Sequence, residues 1–190
     1  EDYFSRETTE RSDAVRKALD LPTYPPRTVL DFSAGPGLLG IAAAVGMAQQ
    51  ATTTSPDACI EANCQPVPAS EIHLTDFGAS QLDLIRSNCA MNTVKASVSE
   101  LRWGDSAAQL PDFPRQLGDE ERHFDLVVCS DCLFIACRDN LKKQFVSTLL
   151  SLVGLNTVVL LSYTPRRPDE AELLLALQAN GLEVREIHQG

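Results

Sequence analysis

The stretch from Thr28 to Ile41 constrains this chain more than any other. Thr28, Val29 and Leu30 form an apolar, β-type run that ends on the carboxylate of Asp31, and Phe32-Ser33-Ala34-Gly35-Pro36-Gly37 then turns the chain. Leu38, Leu39, Ile41 and Val45 follow at a spacing that seats a helix back on a sheet. Glycines at such a turn permit backbone angles and close approaches that a side chain forbids. Strand, glycine turn and helix in this order make a cradle for a nucleotide-type cofactor.

The rest of the chain repeats the alternation. Thr8 or Thr9 caps a helix running to Leu21, which Pro22, Pro25 and Pro26 close off. After the strand from Arg27 to Phe32, a helix runs from Leu38 to about Gln49, and residues 51–70, rich in Thr, Ser, Pro and Ala, read as a surface insertion. Glu71 to Asp76 is a second strand, with His73 as a packed or edge histidine, and Ala79 to Asn92 a helix. Val98 to Trp103 is a third strand stopped by Gly104, and a loop with Pro111, Pro114 and Gly118 leads to a fourth from Phe124 to Ser130. Helices over Asn140 to Leu152 and Pro168 to Asn180, a fifth strand from Thr157 to Tyr163 and a sixth from Leu182 to Ile187 complete the order. The fold class is therefore α/β, a Rossmann-like, doubly wound, mainly parallel sheet. At 190 residues the expectation is a single domain, with residues 1–26 an N-terminal helix and linker.

Composition narrows the function. A net charge of −10 and a pI near 4.7 argue against a nucleic-acid surface, which needs clustered Lys and Arg, and suit a basic protein partner. No stretch matches a membrane span, and the start lacks the apolar core of a signal peptide, so the chain reads as soluble and cytoplasmic, with the nucleus as a second compartment, and as a monomer. The six cysteines lack histidines at zinc-ligand spacing and read as reduced thiols, so no metal is expected.

Gly35-x-Gly37-x-x-Gly40 matches the dinucleotide fingerprint, which alone is a weak signal. Two details count against a pyrophosphate: the charge of Asp31 would face it, and Pro36 removes an amide donor. A cofactor with a cationic head suits the loop better, and S-adenosylmethionine, with its ammonium and sulfonium, is one. Asp76, ending the second strand beside the loop, is then placed for the ribose hydroxyls, although a helix N-cap is its other reading. Trp103, the one tryptophan, either flanks the adenine or packs in the core.

Val29 to Gly40, Leu74-Thr75-Asp76, Leu101-Arg102-Trp103-Gly104-Asp105, Phe124 to Phe134 and Leu161 to Arg167 occur in an order that resembles the seven-β-strand (class I) S-adenosylmethionine-dependent methyltransferases. The resemblance is closest to the eukaryotic protein-lysine methyltransferases with an Asp-x-x-Tyr segment after the fourth strand. It implies that Asp31, Gly35 and Gly37 hold the methionine end, Asp76 the ribose, and Trp103 and Ser130 the adenine side, with Ser33 and Phe77 also among the cofactor-binding residues. It further implies that Asp131, Phe134 and Tyr163 line the acceptor pocket, where Asp131 orients an amine between aromatic walls.

Four departures stand out. Ser33 replaces the first glycine of the loop, Phe134 stands where the branch has Tyr, and residues 51–70 are an addition. The antiparallel seventh strand would fall beyond Gly190 or is missing. The function implied is methyl transfer to a protein side chain, lysine first. A small-molecule N-methyltransferase, a catalytically weak binding protein of the same fold, and a nicotinamide oxidoreductase are the alternatives.

Overall fold

The computed structural model describes residues 26–53, 71–105, 110 and 123–186. The helix expected over residues 8–21, Cys59 and Cys64, and the 54–70 part of the insertion lie outside them. Five strands, β1 (Thr28–Phe32), β2 (Glu71–Asp76), β3 (Ser97–Glu100), β4 (Leu126–Ser130) and β5 (Val158–Ser162), pair in the order β3-β2-β1-β4-β5, every pairing parallel. The first strand is thus central, and the order reverses beside it, between β1 and β4. In open parallel sheets the crevice at such a reversal is where ligands bind.

Helices α1 (Leu38–Thr53) and α2 (Ala79–Met91) cover one face; α3 (Cys132–Arg138), α4 (Lys142–Leu152) and α5 (Glu170–Ala179) cover the other. Strand parity decides which residue faces which layer. On β1, Leu30 and Phe32 join Val127, Cys129, Phe145 and Leu149 on the α3–α5 side, while Val29 joins Ile72, Leu74, Ile41 and Ile85 on the α1–α2 side. Asp31 shares the parity of Val29, so its side chain turns under α1. On α2 the buried residues Leu82, Ile85 and Cys89 recur at helical spacing, and on α4 Phe145, Leu149 and Leu152 do the same. Phe32, Phe124 and Phe145 are fully buried, each contributing about 1.5–3 kcal/mol of apolar transfer free energy.

The elements differ from the sequence reading most clearly at three places. Helix α1 continues through Thr53, so the first residues of the supposed insertion are helical. Strand β3 stops at Glu100 rather than Trp103, because its one partner, β2, ends at Asp76 in register with Glu100. Beyond that point Leu101 N still donates to Asp76 O (2.9 Å), and the Asp105 carboxylate then accepts from Arg102 N (3.0 Å) and folds Trp103-Gly104 into a turn. The expected sixth strand is not formed over residues 182–186, which join no sheet. Arg185 and Glu183 pair at 2.7 Å two residues apart, the spacing of an extended segment, but alternation without a neighbouring strand makes no ladder. His73 is buried with its ring edge-on to Phe124, as a packed histidine. Among the described residues Cys89, Cys129, Cys132 and Cys137 are free and buried, no group of side chains could hold a metal ion, and no helix is long and apolar enough to cross a membrane.

Candidate functional site

The loop between β1 and α1 is braced from all sides. Ala34 N donates to Thr75 O and Gly37 N to Ala34 O, both at 2.8 Å. From α2, Gln81 Nε2 donates to Gly35 O and Asn88 Nδ2 to Pro36 O, the latter at 2.7 Å. Gly37 adopts φ +85°, and a Cβ there would stand 3.0 Å from Leu74 Cδ2. Gly35 adopts φ +55° with open space where a Cβ would be, so its need for glycine is conformational alone. Gly40 is different again: a Cβ would meet Leu74 Cγ at 2.9 Å and Asp31 Cβ at 3.0 Å. The third glycine of the fingerprint therefore serves the approach of helix to sheet.

Two carboxylates bracket this loop. Asp31, 2% exposed, accepts a hydrogen bond from Gly40 N at 2.7 Å, tying the end of β1 to the first turn of α1. Burial raises its pKa from 3.8 to about 6, against the downward pull of the Gly40 amide, and the charge of Asp76 raises it further. Asp76 takes Gly35 N on Oδ2 (2.7 Å) and Phe77 N on Oδ1 (2.8 Å). The helix that follows, α2, has Gly78 as its N-cap residue and no side-chain cap, so Asp76 serves the loop and not the helix N-terminus. Each of its oxygens keeps acceptor capacity for a second donor. Beside it the Phe77 ring is exposed, an apolar surface at the open end of β2. An amide that would have served a phosphate is thus already bonded to a carboxylate, which suits a cationic ligand and repels a pyrophosphate.

Ser33 takes φ 62°, the left-handed region that favours glycine, and its Oγ accepts from Trp103 Nε1 at 2.8 Å. The Trp103 ring packs against Phe32 and edge-on to Phe145. The only tryptophan is therefore half-buried on the core, holding the serine that replaces the loop's usual glycine.

The second cluster lies after β4. Ser130 is exposed at the strand's end, in register with Ser162, and Asp131 N donates to Ser162 O at 2.7 Å. Asp131 adopts φ 61° and opens α3, so that Phe134 and Arg138 fall on one helix face with the guanidinium 5.8 Å from the ring centroid. Arg166, from the segment after β5, pairs with the Asp131 carboxylate and stacks on the Phe134 ring at 4.7 Å. Tyr163 packs half-buried against the core. The structure thus joins Asp31, Ser33, Gly35, Gly37, Asp76 and Trp103 into one cradle, and Asp131 and Phe134 into one corner. A separate groove between α4 and α5, lined by Val146, Leu150, Leu173 and Ala176, shares no residue with either.

The model of a family described as lysine methyltransferase matches residues 2–180 of this chain. The chain belongs to the lysine methyltransferase family. By family and fold this methyltransferase is of class I, with S-adenosylmethionine as its cofactor. Its fold is similar to a TehB-like SAM-dependent methyltransferase from Corynebacterium glutamicum (12% identity, 97% of this chain and 86% of that one, TM-score 0.52). It is also similar to TrmN from Thermus thermophilus (20% identity, 87% and 40% of the two chains, TM-score 0.50). Identities this low show shared architecture alone. No curated protein matches the chain.

The residues present fit the cofactor: an open glycine loop, two carboxylates for a cationic ligand, and an exposed aromatic ring beside the one placed for hydroxyls. Several residues of the methyltransferase's site had no role in the sequence reading. Gln81 and Asn88 fix the loop carbonyls, and Arg166 fills the corner between Asp131 and Phe134. Arg166 stood inside a matching segment, Leu161 to Arg167, but nothing local to that segment shows its pairing with Asp131.

Proposed function

We propose that this methyltransferase transfers a methyl group to the side-chain amine of lysine in a protein substrate. The supporting observation is the Asp131–Phe134 corner, where a carboxylate and an aromatic face already gather a cation. The family match, whose description is lysine methyltransferase, points the same way, and a chain of net charge −10 attracts a basic protein.

S-adenosylmethionine supplies an electrophilic methyl carbon. The chain's own residues do the rest. The loop from Ser33 to Gly37 shapes the seat for the methionine end, with the Asp31 charge beneath it and Trp103 fixing Ser33 from the core side. Asp76 receives the ribose hydroxyls, and Phe77 offers its exposed face to the adenine, with Ser130 at the rim. Asp131 accepts hydrogen bonds from the N–H groups of the incoming ammonium and Phe134 guides its cationic end, with Tyr163 as a further aromatic wall; the ammonium gives one proton to solvent before transfer. A neutral amine is already a good nucleophile, so holding it in line supplies much of the rate, up to about 7–11 kcal/mol in well-oriented systems.

The test is transfer of labelled methyl groups from S-adenosylmethionine into a cell extract, followed by hydrolysis of the precipitated protein. The expected result is label in methylated lysine, lost with Asp131→Ala. Label confined to the small-molecule fraction replaces the protein acceptor with a small amine, and equal labelling by the two proteins removes Asp131 from the mechanism.

A further inference from the structure

We propose that Arg166 is a built-in competitor for the acceptor: its guanidinium occupies the Asp131–Phe134 corner that an alkylammonium group must enter, so substrate engagement requires its displacement. This rests on the reading of that corner as the amine site.

The geometry supports a plug, and not merely a surface ion pair. Arg166 meets Asp131 with one nitrogen and lies over the Phe134 ring at 4.7 Å, so one cation satisfies both elements that a substrate cation would use. Arg138, the other guanidinium near this ring, is 5.8 Å away and held by both oxygens of Asp139 at 2.6 and 2.8 Å, so it does not compete for Asp131. The Arg166 backbone is anchored independently of its side chain: Arg166 N donates to Glu170 Oε2 at 3.0 Å, and Glu170 is 1% exposed. That anchor holds the Cα beside the corner whether the guanidinium is in or out, and the other buried oxygen, Glu170 Oε1, has no hydrogen-bond partner among the described residues. The neighbouring cations Arg167 and Lys142 are engaged by Asp169 at 2.9 and 3.0 Å, leaving Arg166 as the cation delivered to Asp131. The side chains of Arg166 and Asp131 are 41% and 45% exposed, so the contact is solvent-screened and displaceable. An exposed ion pair together with a cation–π contact is worth on the order of a tenfold change in occupancy.

The experiment titrates Nα-acetyl-Nε,Nε-dimethyl-lysine amide into the protein saturated with S-adenosylhomocysteine, followed by NMR of the Phe134 ring. Arg166→Ala is expected to bind this probe on the order of tenfold more tightly than wild type. Arg166→Lys, which restores a cation, returns the affinity toward wild type, and adding Asp131→Asn to Arg166→Ala removes the gain. An unchanged far-UV spectrum shows that the variants fold. Equal or weaker binding by folded Arg166→Ala overturns the proposal, as does a gain that survives Asp131→Asn. The lysine reading fails separately: tighter probe binding with no methylated lysine in the extract assay keeps the plug and removes the substrate, whereas methylated lysine with no gain removes the plug alone.

Discussion

Replacing Asp31 by Asn separates what the fold needs at this position from what a ligand needs. The carboxyl is 2% exposed and its pKa moves from 3.8 to about 6, chiefly because burial disfavours the charged form. Between those values the folded chain binds a proton that the unfolded chain has released. The contribution of Asp31 to wild-type stability therefore falls as pH rises through the window from 3.8 to about 6 and levels off above it. The move from 3.8 to about 6 corresponds to about 3 kcal/mol at ~1.36 kcal/mol per pH unit. An Asn at this position keeps an oxygen to accept from Gly40 N and removes the charge. Urea denaturation is expected to show the two proteins within about 1 kcal/mol of each other near pH 4, with the Asn variant ahead by about 2–3 kcal/mol near pH 8. The same variant is expected to bind S-adenosylmethionine on the order of tenfold more weakly above pH 6, because a cationic ligand offsets the cost of the buried charge. A stability difference that does not vary with pH would refute the reasoning, as would an Asn variant that falls behind wild type on raising the pH.

The glycine loop offers a matched pair. Gly37→Ala combines a left-handed backbone with a 3.0 Å contact to Leu74 and is expected to cost about 2–4 kcal/mol, whereas Gly35→Ala, with open space around it, costs about 1 kcal/mol; urea denaturation distinguishes them. Ser33→Gly relieves the φ of 62° but leaves the Trp103 N–H without its acceptor, so stability is expected to change by less than about 1 kcal/mol while the emission of the single tryptophan shifts. Asp76→Ala strands the Gly35 and Phe77 amides and removes the acceptor for hydroxyls. Calorimetry with S-adenosylhomocysteine is expected to show a loss of about 2–3 kcal/mol.

Elements set by local pattern were legible in the chain, and those set by a neighbour were not. β2 begins at Glu71 and ends at Asp76 as read, and Asp76 comes beside the loop because parallel pairing aligns the ends of β1 and β2. Trp103 could not be placed by alternation, because β3 ends where β2 stops giving it a partner. Leu182 and Val184 alternate as a strand would, yet among the described residues no sheet partner meets them. Helix α3 is seven residues long and opens on a left-handed Asp131 with no capping side chain, so no periodicity or cap announces it. The direction of Asp31 was available from parity with Val29, whereas the pairing of Arg166 with Asp131 spans 35 residues and is a product of the fold. The acidic pair around the glycines was therefore readable early, and the occupant of the acceptor corner was not.

The central claim is that Asp31 and Asp76 make this glycine loop a seat for a sulfonium amino acid and not for a pyrophosphate. Parallel calorimetric titrations of the wild-type protein with S-adenosylmethionine and with NAD test it most directly. The account predicts saturable binding of S-adenosylmethionine and none of NAD at millimolar concentration. Binding of NAD as tight as that of S-adenosylmethionine, or no binding of S-adenosylmethionine at that concentration, would contradict it.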